Sequence, residues 1–392
     1  MRRLVRVRRG QPDRRSWSTI VPQADAVLQS VHLFRKTFYL DYLRDGRSEL
    51  KICGLDGSAV DTVPLPGIGS IGGLQGRSDA PETFFAFSNA ATPSRWYRVQ
   101  FDDAGRPAAT PQLWRSPKVA FDTDAMISEQ IFCTSKDGTR VPMIVSRRRD
   151  TPLDGTAPTI LYGYGGFNIS ITPSFSPAAA AWIDDGGIYA VANLRGGGEY
   201  GRDWHEAGMR LNKQNVFDDC IAAAEKLIED GYASPSTLAL SGRSNGGLLV
   251  AAVMLQRPDL FGATLPAVGV LDMLRYHKFT IGWAWATEYG SSDEADQIDN
   301  LLAYSPLHNI KPGVCYPATM VMTADRDDRV VPAHSFKFAA ALQDAQSQVD
   351  GCDKPTLIRI ERRAGHGAGT PTSKKIDEYT DAWTFLRANL KP

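Results

Sequence analysis

The sequence carries no excess of charge, no long apolar run and no cysteine cluster, and each absence removes a class of function. Lysine plus arginine and aspartate plus glutamate both number 44 in 392 residues, so no global field recruits nucleic acid or a membrane surface. The opening MRRLVRVRRGQPDRR is basic, but arginines interrupt every apolar pair. It lacks the continuous apolar core of a signal peptide or membrane span and reads as a solvated strand edge. A cytoplasmic protein is therefore expected. The five cysteines (Cys53, Cys133, Cys220, Cys315 and Cys352) are odd in number, scattered and without CxxC spacing. That pattern argues against a zinc site or a disulfide framework and predicts buried thiols in a reducing compartment. The glycine-rich NLRGGGEYG lacks the spacing of a dinucleotide or phosphate loop. No metal and no cofactor is expected, and Arg195 and Glu199 within that run are read as residues that orient neighbouring loops.

What is present falls into two rhythms. Residues 1–118 read as short strands and turns, with TFYLDYLRDGRSELKICGLDG forming two alternating strands around an Asp-Gly turn. TFFAFSNAATPSRWYRVQFDDAG repeats the design, Phe84 standing where Phe38 stood. Four-stranded units recurring at about 40 to 50 residues are the signature of β-propeller blades. About two and a half units are present, whereas a closed propeller needs at least four. Such a remnant leaves blade faces and strand edges uncovered. The chain is thus expected to be N-terminally truncated, with a partner or a missing segment completing the ring.

Residues 119–392 alternate short apolar runs with helical patterns, from PTILYGY and GIYAVANL to ATMVMTAD, TLIRIE and a final helix through IDEYTDAWTFLRANL. Runs apolar on both faces, alternating with helices, predict an α/β, doubly wound and mostly parallel sheet. Catalytic loops then fall along the carboxyl edge of that sheet.

On that edge lies LALSGRSNGGLLV, residues 238–250. LAL reads as a buried strand and NGGLLVAAVML as a helix, so the Gly-Arg-Ser-Asn-Gly turn between them resembles a nucleophile elbow. Gly242 and Gly246 sit where side chains would collide, and Ser244 is placed at a helix N-terminus that favours developing negative charge. A serine hydroxyl needs a base and an orienting acid, in the order Ser, Asp or Glu, His for this fold. Of the six histidines, His32 lies in the blade region, and His205, His277 and His308 lie before the strand expected to carry the acid. His334 enters a helix, where capping or packing is expected. His366, in the loop RRAGHGAG after TLIRIE, has the required place and flexible flanks. Asp325, Asp327 and Asp328 all end the preceding strand, and spacing does not choose among them.

The runs LYGYGGFNISITP, NLRGGGEYG, NKQNVFDD, GRSNGGLLV, QRPDLFG, YSPLHN, TADRDDRVVPAHSFKF and AGHGAGTPT resemble the catalytic domain of the prolyl oligopeptidase family. The resemblance covers residues 119 onward, and the N-terminal part is similar to the last portion of that family's propeller. It implies an α/β-hydrolase domain and a serine endopeptidase that cuts short peptides after proline. Ser244 would be the nucleophile, His366 the general base and then acid, and Asp327 the orienting carboxylate. The Asn245 N–H and the Tyr164 hydroxyl would form the oxyanion hole. The resemblance also places Trp285 beneath the substrate proline ring, with Phe167, Val270, Tyr289 and Val330 around it, and gives Arg329 a hydrogen bond to a peptide carbonyl. A flat indole suits that ring, which offers an apolar face and no N–H. Glu288 is expected to point away from the Trp285 face.

Short proline-containing peptides are the expected partners, with no nucleic acid and no membrane. The alternatives are a related hydrolase of oligopeptidase B, acylaminoacyl peptidase or esterase type, or a truncated relative that is weakly active or inactive. Loss of most propeller blades predicts weakened selection for substrate size.

Overall fold

The computed structural model describes residues 2–391. Its centre is an eight-stranded sheet built from β1 (Met126–Thr134), β2 (Arg140–Arg148), β3 (Thr159–Tyr162), β4 (Ile188–Ala192), β5 (Leu238–Arg243), β6 (Ala263–Ala267), β7 (Ala318–Ala324) and β8 (Thr356–Glu361). The strand order is β1-β2-β4-β3-β5-β6-β7-β8. The first two strands pair antiparallel, β2 pairs antiparallel with β4, and every later pairing is parallel. This is the α/β, mostly parallel sheet that the alternating runs predict.

Period-two alternation lets each strand bury both faces. Leu161, Leu240, Ala190 and Val145 pack on one side with α2 (Gln214–Glu229) and α3 (Asn245–Gln256). Val321 faces the same side, beneath α4 (Ala333–Ser347). Ile160, Ala239, Leu265, Met320 and Met322 face the other way, toward Trp182 of α1 (Pro177–Asp184) and Phe385 and Leu386 of α5 (Thr372–Asn389). Parallel strands between two helical layers put the ends of β3, β5, β7 and β8 at one edge, where the site is built.

Residues ahead of this sheet form two four-stranded antiparallel sheets, residues 27–63 and 70–115, and a two-stranded pair of Leu4–Arg6 with Ser18–Val21. The two four-stranded sheets share a core of Phe34, Tyr39, Leu50, Phe85, Phe87 and Val99. The Asp45-Gly46 turn reaches the larger sheet: Tyr200 Oη donates to Asp45 Oδ1 at 2.6 Å, and Gln130 Nε2 donates to the Asp45 carbonyl. Among the described residues no helix is long and apolar enough to cross a membrane.

One expectation is overturned. Cys315 and Cys352 form a disulfide, with their Cα atoms 5.6 Å apart, while Cys53, Cys133 and Cys220 are buried thiols. The cause is topological. β7 and β8 are parallel neighbours, with Thr319 opposite Thr356, so the segments entering them run side by side despite a sequence separation of 37. The inference from cysteine usage to a reducing compartment falls with the unpaired thiols.

His334 is a packing residue, as its place at a helix start suggested. It is 1% exposed, stacks edge-on against Phe279, and accepts from the Asp272 N–H at Nδ1 (3.1 Å). Burial pushes its pKa down to about 4, with Asp272, Lys337 and Asp327 as its charged neighbours. A depressed folded pKa means stability that is present above the unfolded value and lost as pH falls through the folded one. Roughly 3 kcal/mol is therefore expected to disappear between about pH 6.5 and pH 4. Urea unfolding across that window should show a steeper loss for the unaltered protein than for His334→Gln; equal slopes would refute it.

Candidate active site

The turn from β5 into α3 is tight. Ser244 has φ 58° and ψ −118°, a conformation costly for any residue but glycine. Its N–H donates to the Ala267 carbonyl at 2.9 Å, and its carbonyl accepts from Gly247 and Leu248. A Cβ on Gly242 would stand 2.4 Å from the Gly246 carbonyl oxygen, and one on Gly246 would stand 2.6 Å from that of Gly163. Only glycine at both positions lets the elbow close against the end of β3. Asn245 is the first residue of α3, so its N–H has no partner within the helix.

The loops after β7 and β8 bring the acid and base together. His366 Nδ1 lies 2.6 Å from Asp327 Oδ2, and Asp327 is 3% exposed. The other oxygen, Oδ1, accepts from the N–H groups of Arg329 (3.0 Å) and Val330 (2.9 Å). Asp325 is exposed and accepts from the Ala364 N–H at 3.3 Å, bracing the His366 loop, while Asp328 is exposed. The choice that spacing left open is thus made by burial and by one hydrogen bond. Among the described residues no hydrogen bond joins Ser244 Oγ to His366. The structure therefore unites His366 with Asp327 and leaves the serine as a separate member, an arrangement that commonly tightens when substrate binds.

A cavity of about 280 Å³ opens on Ser244 and is lined by Tyr164, Phe167, Val270, Trp285, Tyr289 and Arg329, with Ile169 and Ile281. Trp285 closes a 3-10 turn, and Tyr289 ends the helical turn that follows. Trp285 stacks with Tyr276, and Tyr289 meets Phe167 edge-on with centroids 5.5 Å apart. Burial raises the Tyr164 phenol to about 12, which keeps it a neutral donor. Arg329 is exposed at the rim. Val330 is 2% exposed and belongs to the same buried cluster as the wall residues Val270 and Tyr289, and its N–H donates to Asp327 Oδ1.

Three residues that sequence reasoning did not assign support this wall. Glu288 is buried, accepts from the Phe167 N–H at 2.7 Å, and lies 2.7 Å from His205 Nε2. It does not line the cavity. Phe167 has φ 58°, and the bond to Glu288 helps hold that strained backbone. Lys213, 1% exposed, donates from Nζ to the Gly165 carbonyl (2.8 Å) and to Asn245 Oδ1 (3.1 Å). Asn245 Oδ1 also accepts from the Tyr289 hydroxyl at 2.9 Å, and its Nδ2 donates to the Tyr164 carbonyl. A signal existed for Lys213: it shares a helical face with Val216, Phe217 and Cys220, all buried.

NLRGGGEYG supplies the outer brace. Arg195 pairs with the fully buried Asp219 (2.6 Å) and with Asp137. Glu199 accepts from the Ile171 N–H at 2.8 Å, and burial lifts its carboxyl to about 7.

Fold and site together define an α/β-hydrolase with a serine on the elbow. The sequence matches the description "Prolyl oligopeptidase family" over residues 173–392, and "Prolyl oligopeptidase, N-terminal beta-propeller domain" over residues 1–111. The chain belongs to the prolyl oligopeptidase family. It is 46% identical over 384 residues to a prolyl endopeptidase of Elizabethkingia miricola, covering 98% of this chain and 53% of that one. A solved structure from a study of two prolyl endopeptidases and their inter-domain dynamics superposes with a TM-score of 0.90 at 45% identity, covering 99% of this chain and 56% of the other. Prolyl oligopeptidase B from Galerina marginata, bound to a 35-residue hydrolysis and macrocyclization substrate, gives 0.86 at 37% identity, covering 96% and 53%. The chain spans about half the length of the curated relatives it matches.

Proposed function

We propose that this protein is a serine endopeptidase that cleaves peptides on the carboxyl side of proline through an acyl-enzyme. The observation that carries the reading is the position of Ser244 on the wall of an aromatic cavity that also holds Tyr164 and Trp285. Ser244 Oγ attacks the scissile carbonyl carbon as His366 Nε2 takes its proton, and Asp327 holds the imidazole with Nδ1–H toward the carboxylate. The carbonyl oxygen becomes an oxyanion and receives hydrogen bonds from the Asn245 N–H and the Tyr164 hydroxyl. His366 then protonates the leaving amine, and water enters by the same route to release the acid. The proline ring lies against Trp285, and Arg329 donates to a peptide carbonyl.

The lining favours proline over a basic residue. A pocket for arginine needs a free carboxylate, yet the nearby Glu288 is buried and both its oxygens have partners. Kinship with prolyl endopeptidases is a second support.

The test pairs fluorophosphonate labelling with two fluorogenic peptides, one with proline and one with arginine ahead of the scissile bond. Labelling and proline-selective turnover are expected. Faster cleavage of the arginine peptide would move the reading to an oligopeptidase B-type enzyme, and no labelling would leave a non-catalytic relative. Tyr164→Phe is expected to lower kcat by about 100- to 1,000-fold with little change in KM, the usual cost of one oxyanion donor. A fall in binding alone would remove Tyr164 from that role.

A further inference from the structure

The Lys213 ammonium is an oddity that the proposed chemistry leaves unused. It is 1% exposed and, among the described residues, forms no ion pair; its Nζ is held by two neutral oxygens, those of Gly165 and the Asn245 side chain. The Tyr289 ring lies 5.5 Å away. Burying a cation without a carboxylate partner is expensive, and a glutamine or methionine would fill such a space at less cost. What distinguishes this place is what the two acceptors belong to. Gly165 directly follows Tyr164, and Asn245 directly follows Ser244, so one ammonium joins the backbone segments that carry the two oxyanion donors. The Asn245 side chain closes the circuit by donating to the Tyr164 carbonyl.

We infer that Lys213, in its charged form, is a positioning residue for acyl transfer: it fixes the spacing between the Tyr164 hydroxyl and the Asn245 N–H and adds positive potential behind the oxyanion. The inference rests on the endopeptidase reading above. In the low-dielectric interior such a charge acts strongly on a developing anion and needs no reorganisation during the reaction.

Burial lowers the Lys213 pKa to about 8, while the Glu288 carboxylate opposes the fall. Glu288 lies in the segment 286–289 with Tyr289; around it stand His205, Tyr164 on the loop after β3, and Tyr304 at the end of the helix Ile298–Tyr304. Burial raises all three phenols, so they stay neutral up to about pH 10. The charged form is the competent one, and activity should decline as pH rises through about 8.

The experiment follows Ser244 phosphonylation, in which the Oγ–P bond forms as fluoride leaves, together with kcat and KM for a proline-containing aryl ester, from pH 6 to 10. The unaltered protein should lose rate on the alkaline side with a midpoint near pH 8. Lys213→Gln, which keeps a donor but no charge, should lower kcat and the phosphonylation rate by about 10- to 100-fold, leave KM nearly unchanged, and abolish the alkaline fall. An alkaline fall that persists in Lys213→Gln, or a loss confined to KM, overturns the inference while leaving the endopeptidase reading standing. Should Lys213→Gln fail to fold, Glu288→Gln decides. Removing that carboxylate should move the alkaline midpoint to lower pH, and an unmoved midpoint overturns the inference. Absence of Ser244 labelling in the unaltered protein would instead overturn the endopeptidase reading itself, and this inference with it.

Discussion

Ser244→Ala is expected to lower turnover of a proline-containing peptide by about a million-fold and to abolish fluorophosphonate labelling, with folding intact. Loss of the nucleophile in a serine peptidase costs about as much as loss of the entire triad, because the members work as one unit. Stability should hardly change, since alanine meets the same backbone strain at φ 58° that serine does. Ser244→Gly separates the two effects. It should be equally inactive yet melt at a higher temperature, because glycine adopts positive φ without the penalty of about 1 to 3 kcal/mol borne by other residues. Differential scanning calorimetry beside the labelling assay checks both halves. Labelling that survives in Ser244→Ala would place the reactive group elsewhere.

Asp327→Asn should cost about 10⁴-fold in kcat while leaving the fold intact, and the reason lies in hydrogen-bond direction. Asp327 Oδ1 accepts from the N–H groups of Arg329 and Val330, so an asparagine must keep its carbonyl oxygen there. Its NH2 group then faces His366 Nδ1, which has to become an acceptor. The proton moves to Nε2, and the imidazole can no longer take one from Ser244. Crystal structures should superpose while the rate collapses. A loss below about tenfold would show that the 2.6 Å contact to His366 is structural only.

The parts of this site that were legible in the sequence are those written in local pattern. Strand β5, the elbow and α3 follow from an apolar run, two glycines and a second apolar run, all within thirteen positions. The parallel sheet follows from runs apolar on both faces, as Ile160 and Leu161 illustrate by packing into opposite layers. Asp327 was not separable from Asp325 and Asp328 by spacing, because their difference is burial in a loop whose path depends on β8. The Cys315–Cys352 bond was illegible because parallel pairing, not separation along the chain, makes the two cysteines adjacent. Glu288 escaped for a related reason, since it acts on residues from distant loops, whereas the apolar face that Lys213 shares with Val216, Phe217 and Cys220 marks its burial but not the two oxygens it holds.

The hydrogen bond from the Tyr289 hydroxyl to Asn245 Oδ1 has a consequence for protein engineering. On the proposed proline-specific reading, Tyr289 is the residue to trim when a larger side chain than proline is wanted. The same trimming removes a donor from the residue whose backbone N–H is assigned to the transition state. Selectivity and turnover are therefore a single design variable at this position. A Tyr289 library screened for binding will collect slow enzymes, whereas one screened for rate will favour residues that keep a hydroxyl within reach of Asn245.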